Sequence, residues 1–139
     1  MTAQEILKLI EEVSPDDTAK LDEIDARVMA YLEGWEFKDY CRMYNEERTH
    51  CFTLEENEML FAFYYTRSRD ALKAIRPNGY AQSWPTRYST GSLTYEYSFF
   101  LIDSGGAVIT AFVSPTRPTE ELAELHAIIK AIEYERNNA

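Results

Sequence analysis

The chain holds two cysteines and two histidines: Cys41, His50, Cys51 and His126. A zinc site needs three or four converging His, Cys, Asp or Glu side chains. His50 and Cys51 are adjacent, and neighbours on a strand point to opposite faces, so they do not readily share an ion. They read instead as a surface histidine beside a buried thiol. His126, beside Leu125 and Ile129, reads as the flank of a helix. A thiolate–imidazole pair of Cys41 or Cys51 with His126 would make a nucleophile, but nothing in the sequence brings them together. Gly105-Gly106 lies between two strand-like runs, the wrong setting for a phosphate cradle, and no P-loop or dinucleotide fingerprint is present. Carboxylates are so abundant that pairs of them say little about acid–base chemistry. The expectation is no catalytic residue, no metal and no cofactor.

Two charged sets stand out. The first is acidic: Asp16, Asp17, Asp22, Glu23 and Asp25, then Glu46, Glu47, Glu55, Glu56 and Glu58. Spaced carboxylates on a rigid frame can imitate a phosphate backbone or dock on a basic surface. They can equally form an ordinary solvated face. The second is basic: Arg67, Arg69, Lys73 and Arg76, with Trp84, Arg87 and Tyr88 further on. Arginines with aromatics can grip an anionic nucleotide, which makes Arg67, Arg69, Trp84 and Arg87 an alternative ligand set. The plainer role of the cluster is to neutralise the acidic N-terminal half within the fold.

The elements that must position these residues follow from periodicity. Ile6, Leu7, Leu9, Ile10 and Val13 form the apolar stripe of a helix over 3–13. Ser14-Pro15-Asp16-Asp17 reads as a stop and restart, with Ser14 as cap and Pro15 at the first helical position. Leu21, Ile24, Val28, Tyr31 and Leu32 carry a second helix to Gly34, so residues 1–33 form a helical hairpin. Residues 34–65 are irregular with strand character, including a short strand over Cys51 to Leu54. Residues 66–76 hold a short helix, capped by Ser68 and running from Arg69 to Ile75. Residues 79–113 are antiparallel strands: Tyr80 to Trp84, Leu93 to Ile102, a turn at Asp103-Ser104-Gly105-Gly106, and Ala107 to Val113. Apolar groups on both faces of the last strand suggest a sheet covered on both sides. Residues 117–137 form the closing helix, with Leu122, Leu125, Ile128, Ile129 and Ile132 on one face and Glu120, Glu121 and Glu124 near its start. The result is α+β: a helical hairpin, a small, mainly antiparallel sheet and a C-terminal helix.

The length of 139 residues suits one domain over 1–139. No apolar run reaches the roughly 20 residues that span a bilayer, so no membrane is expected. The N-terminal stretch lacks a basic region and a cleavage site, and it does not read as a signal peptide. Two cysteines are too few for a disulfide framework, so a cytoplasmic setting is expected. The net charge of −10 is uneven. Residues 1–33 carry nine acids and three bases, 34–63 seven and three, 64–117 three and six, and 118–139 five and two. Such a field disfavours direct nucleic-acid binding and steers a basic protein toward the acidic half.

The stretches Tyr65-Thr66-Arg67-Ser68-Arg69-Asp70-Ala71-Leu72, Gly79 to Trp84, and Ser114-Pro115-Thr116-Arg117-Pro118-Thr119 through Ile129-Lys130-Ala131 resemble the phage ABA sandwich domain. Glu5-Ile6-Leu7 and Asp25-Ala26-Arg27 resemble the leading helices of that family, while the stretch from Lys38 to Leu60 departs from its pattern. The family is one of unknown function. The resemblance implies a phage or prophage origin and a layered α-β-α sandwich, and it brings no active site.

These features together point to a small phage-encoded interaction protein that is not an enzyme. Its expected partner is a basic protein or nucleoprotein complex of the host, occluded by the acidic residues in the manner of an anti-CRISPR protein in the bacterial cytoplasm. One alternative is a binding protein that sequesters a nucleotide signal. Another is an immunity protein against a basic toxin.

Overall fold

Thr2 accepts a hydrogen bond from the Glu5 amide at 3.3 Å and thereby caps the first helix, α1 (Ala3–Glu12). The computed structural model describes residues 2–34, 37–38, 51–53, 59–60, 63–77, 80–82, 86–90, 92–102 and 104–138. Within it, residues 37–38, 51–53, 59–60, 80–82, 86–90 and 92–93 are described by their backbone. The chain divides into two compact units, Met1–Ser68 and Arg69–Ala139.

In the N-terminal unit, α1 buries Ile6, Leu7 and Ile10, as its stripe requires. The second helix, α2 (Thr18–Glu33), packs on it and buries Leu21, Ile24 and Val28. Each such aliphatic side chain contributes about 2 kcal/mol on leaving water. The restart differs from the expected one. Asp17 is the cap, accepting from the Lys20 amide at 3.1 Å, while the Ser14 hydroxyl accepts from the Asp16 amide at 3.4 Å. Ser14 and Asp17 both cap well, and the one nearer the apolar repeat prevails. Gly34 ends α2 in the left-handed region at φ +72°, a conformation that favours glycine. Three short strands follow: β1 (Phe37–Lys38), β2 (Cys51–Thr53) and β3 (Met59–Leu60). They pair antiparallel in the order β1-β2-β3, and α2 lies against β1 and β2.

The C-terminal unit opens with α3 (Arg69–Ile75), the span expected from the sequence. Its strands are β4 (Tyr80–Gln82), β5 (Thr86–Thr90), β6 (Ser92–Glu96), β7 (Ser98–Ile102) and β8 (Val108–Val113). The expected single strand from Leu93 to Ile102 is two, because the chain changes partners at Tyr97. β6 pairs with β5, whereas β7 lies between β4 and β8. Tyr97 itself bonds to Ser114: its amide donates to the hydroxyl at 2.9 Å, and its carbonyl accepts the Ser114 amide at 2.9 Å. Tyr95 and Arg117 exchange a second pair of backbone bonds, each 2.8 Å. β5 escapes the sequence reading because Thr-Arg-Tyr-Ser-Thr lacks apolar alternation.

The turn between β7 and β8 forms where the glycines predict it, with Gly106 at φ +83°. The closing helix, α4 (Glu120–Asn137), starts after Thr119, whose hydroxyl accepts from the Leu122 amide at 3.2 Å. It lies against α3, β6, β7 and β8. Phe112 of β8 meets the Tyr134 ring at 5.3 Å, and Phe99 of β7 is fully buried. The other face of β8 is not covered as expected. Val108 and Ile109 are 59% and 57% exposed, and Val113 is exposed beside them. The chain is therefore α+β, with an N-terminal helical pair, antiparallel sheets and a C-terminal helix.

Candidate functional site

The sharpest concentration of polar groups in the N-terminal unit joins α2 to the turn at 63–68. Helical spacing puts Asp22 and Asp25 on adjacent turns, on the side that meets this turn. One oxygen of Asp25 accepts the Thr66 amide at 2.8 Å, and the other meets Arg67 Nη2 at 2.6 Å. The same guanidinium nitrogen reaches Asp22 Oδ1 at 2.6 Å. The Arg67 guanidinium also lies over the Tyr64 ring, 4.4 Å from its centroid. Two carboxylates and one guanidinium leave this cluster with a net charge of −1 when all are ionised.

Asp25 is 2% exposed, and burial raises its pKa to about 6 against the pull of Arg67 and the Thr66 amide. Burial works against the Arg67 charge, but the Asp22 and Asp25 carboxylates outweigh it and hold its pKa above the usual value. Tyr65 is pushed up by burial and then by the charges of Glu33 and Asp25. A carboxyl titrating near 6 has the poise of a general acid or base. At this exposure no substrate atom reaches it, so the arrangement is a brace and not a reaction centre.

These positions correct the acidic set. Asp25 is turned inward, and Asp22 is committed to Arg67, the half-buried cation that also serves Asp25. Glu23 is half-buried and bonds Lys20 at 2.8 Å and Arg27 at 3.3 Å. Burial works against its charge, and those two cations outweigh it, holding its pKa below the usual value. Asp16 and Asp17 are exposed, with Asp17 occupied as the cap of α2. Glu46, Glu47, Glu55, Glu56 and Glu58 lie outside the described residues, as do Cys41 and His50. Cys51 is placed by its backbone in β2.

Three members of the basic set, Arg67, Arg69 and Arg76, are likewise spent on carboxylates within their units. Arg67 pairs with Asp22 and Asp25 of the acidic N-terminal unit. Arg69 and Arg76 turn instead to the closing helix. Arg69 pairs with Glu120 at 3.1 Å and Glu124 at 3.7 Å, and Arg76 Nε donates to Glu124 Oε1 at 2.6 Å. Arg76 Nη2 bonds the same Glu124 oxygen and reaches the Tyr97 hydroxyl at 3.4 Å. Glu124 is fully buried, so it is a structural anchor and not the dipole-facing surface acid expected from its place in the sequence. His126 is fully buried too, and not a flank residue. Lys73 is exposed; Trp84 lies outside the described residues, and Arg87 and Tyr88 are placed by the backbone of β5. The alternative ligand set thus has two of its arginines, Arg67 and Arg69, already held by carboxylates.

The sequence reading passed over Phe63 and Tyr64, which are 64% and 45% exposed. Their signal was present as the run Phe63-Tyr64-Tyr65 just before a turn. Three successive aromatics at a turn cannot all face one core. Among the described residues, no three His, Cys, Asp or Glu side chains are placed to hold a metal ion, and no helix is long and apolar enough to cross a membrane.

Comparison with known proteins returns nothing similar: no family model, no curated protein and no solved structure matches the chain. The likeness to the phage ABA sandwich domain rests on the residues quoted for it.

Proposed function

We propose that the chain is a non-catalytic interaction protein whose N-terminal unit docks on a basic, nucleic-acid-handling protein surface. The observation that carries this reading is the division of charge. Met1–Ser68 holds sixteen acidic and seven basic residues, a net of −9, whereas Arg69–Ala139 holds eight and seven, a net of −1. A field so concentrated steers and orients a cationic partner. With the phage resemblance, it makes antagonism of a bacterial defence complex, in the manner of an anti-CRISPR protein in the host cytoplasm, the specific form of the proposal.

The exposed acids that serve this docking include Glu5, Glu12 and Asp16. The test is a triple variant, Glu5→Lys/Glu12→Lys/Asp16→Lys, compared with wild type in capture from bacterial lysate at 50 and 500 mM salt, values chosen to lie on either side of about 150 mM. A basic nucleic-acid-handling complex should be retained by wild type at low salt and lost by the folded variant. Equal retention by both proteins would sink the reading.

A further inference from the structure

The turn after β3 carries two large rings in water inside a unit that buries its aliphatic residues well. Phe63 is 64% exposed and Tyr64 45% exposed. Their backbone is held closely. The Tyr65 amide donates to the Phe63 carbonyl at 2.9 Å, and the Arg67 and Ser68 amides donate to the Tyr64 carbonyl at 3.0 and 2.7 Å. Asp25 holds the Thr66 amide from the α2 side. Rings displayed on so restrained a turn lose little freedom when a partner arrives, which is what a binding anchor requires.

The charge beside the turn selects the partner. Arg67 spends its charge on Asp22 and Asp25, which weakens the hold of the turn on a phosphate. What remains is one excess carboxylate charge in the Asp22–Asp25–Arg67 cluster beside the turn, in a unit of net charge −9. That combination favours a planar cation on the rings and repels polyanions. The chain supplies its own template for the contact: the Arg67 guanidinium lies 4.4 Å from the centre of the Tyr64 ring.

We propose that Phe63 and Tyr64 are the anchor on which the N-terminal unit seats an arginine side chain of its basic protein partner. This rests on the docking function proposed above and gives that function a named centre. Arginine, tyrosine and aromatic rings are the residue types that concentrate binding energy at protein interfaces. The acids elsewhere on the unit would steer, and the rings would hold.

The test uses the full chain and a fluorescein-labelled nona-arginine peptide, titrated by anisotropy at several salt concentrations. The double variant Phe63→Ala/Tyr64→Ala should weaken binding about three- to tenfold with an unchanged salt slope, since it removes stacking and no charge. Phe63→Leu/Tyr64→Leu, which keeps apolar bulk and guards against misfolding, should weaken it similarly, while Tyr64→Phe should bind as wild type does. Glu12→Lys/Asp16→Lys should instead reduce the salt slope. Unchanged affinity in both double ring variants overturns the anchor and leaves the docking function standing. Failure of wild type to bind nona-arginine at low salt overturns both. Tighter binding of an oligothymidine than of nona-arginine overturns the anchor in favour of base stacking.

Discussion

The two units solve the same problem, burying a carboxylate beside an arginine, on different terms. In the C-terminal unit Glu124 is fully buried and held by Arg76 through two nitrogens, with Arg69 behind it. There one carboxylate has two cations. In the N-terminal unit the ratio is reversed: Arg67 serves both Asp22 and Asp25. A buried acid with cations in excess is paired on both sides as part of the frame. A buried acid that shares its cation is less fully compensated: burial displaces Asp25 to about 6, and Arg67 and the Thr66 amide offset it only in part. The contrast follows the charge: the unit with −1 is balanced by its own pairs, and the unit with −9 has too few cations to go round.

The difference can be broken most severely at Arg76. Arg76→Ala strands Glu124 in the interior and should cost about 3 kcal/mol, read from urea unfolding at pH 7; a loss below about 1 kcal/mol would mean that Arg69 alone holds the acid. Arg67→Ala should cost less, about 2 kcal/mol, because Asp25 keeps the Thr66 amide and can take a proton. Its penalty should shrink at pH 5, whereas an Arg76→Ala penalty that shrank equally would erase the distinction. The third test isolates Asp25. Its folded pKa lies above the ordinary value of 3.8, so the native state holds the extra proton between about 4 and 6. This group therefore contributes stability that is complete below pH 4 and lost as pH rises through 6, on the order of 3 kcal/mol. Asp25→Asn should flatten that part of the stability–pH curve; an unchanged curve would refute the assignment. The smallest effect is expected at Gly34→Ala, about 1 kcal/mol from the left-handed backbone, visible as a small drop in Tm.

Local chemistry made part of this molecule legible before the structure. α3 is bounded by Ser68 and Pro77-Asn78-Gly79, Gly34 ends α2, and Gly105-Gly106 turns β7 into β8, all features written within a few residues. What was not legible depends on distant partners. Asp25 meets Arg67 forty-two residues away, and Arg76 meets Glu124 forty-eight away. Nothing in a run of charges says which member turns inward, so Asp25 and Glu124 both read as surface acids. Tyr97 ends β6 because of Ser114, on the far side of a hairpin. Phe63 and Tyr64 sit in an aromatic run whose exposure only the turn geometry decides.

The bare face of β8 has a consequence for how the protein behaves in bulk. Val-Ile-Thr-Ala-Phe-Val is a neutral run of high strand propensity at the end of its sheet order, with no proline and no inward charge to blunt it. Such a segment pairs readily with its own copies once molecules approach. Mutual repulsion between chains of charge −10 keeps them apart at neutral pH. That protection fades toward the isoelectric point near 4.6, inside the interval where Asp25 gains its proton and the fold tightens. Acidification thus pulls in opposite directions, favouring the fold at Asp25 while lowering solubility, and turbidity should appear as the pH of a concentrated solution nears the isoelectric point.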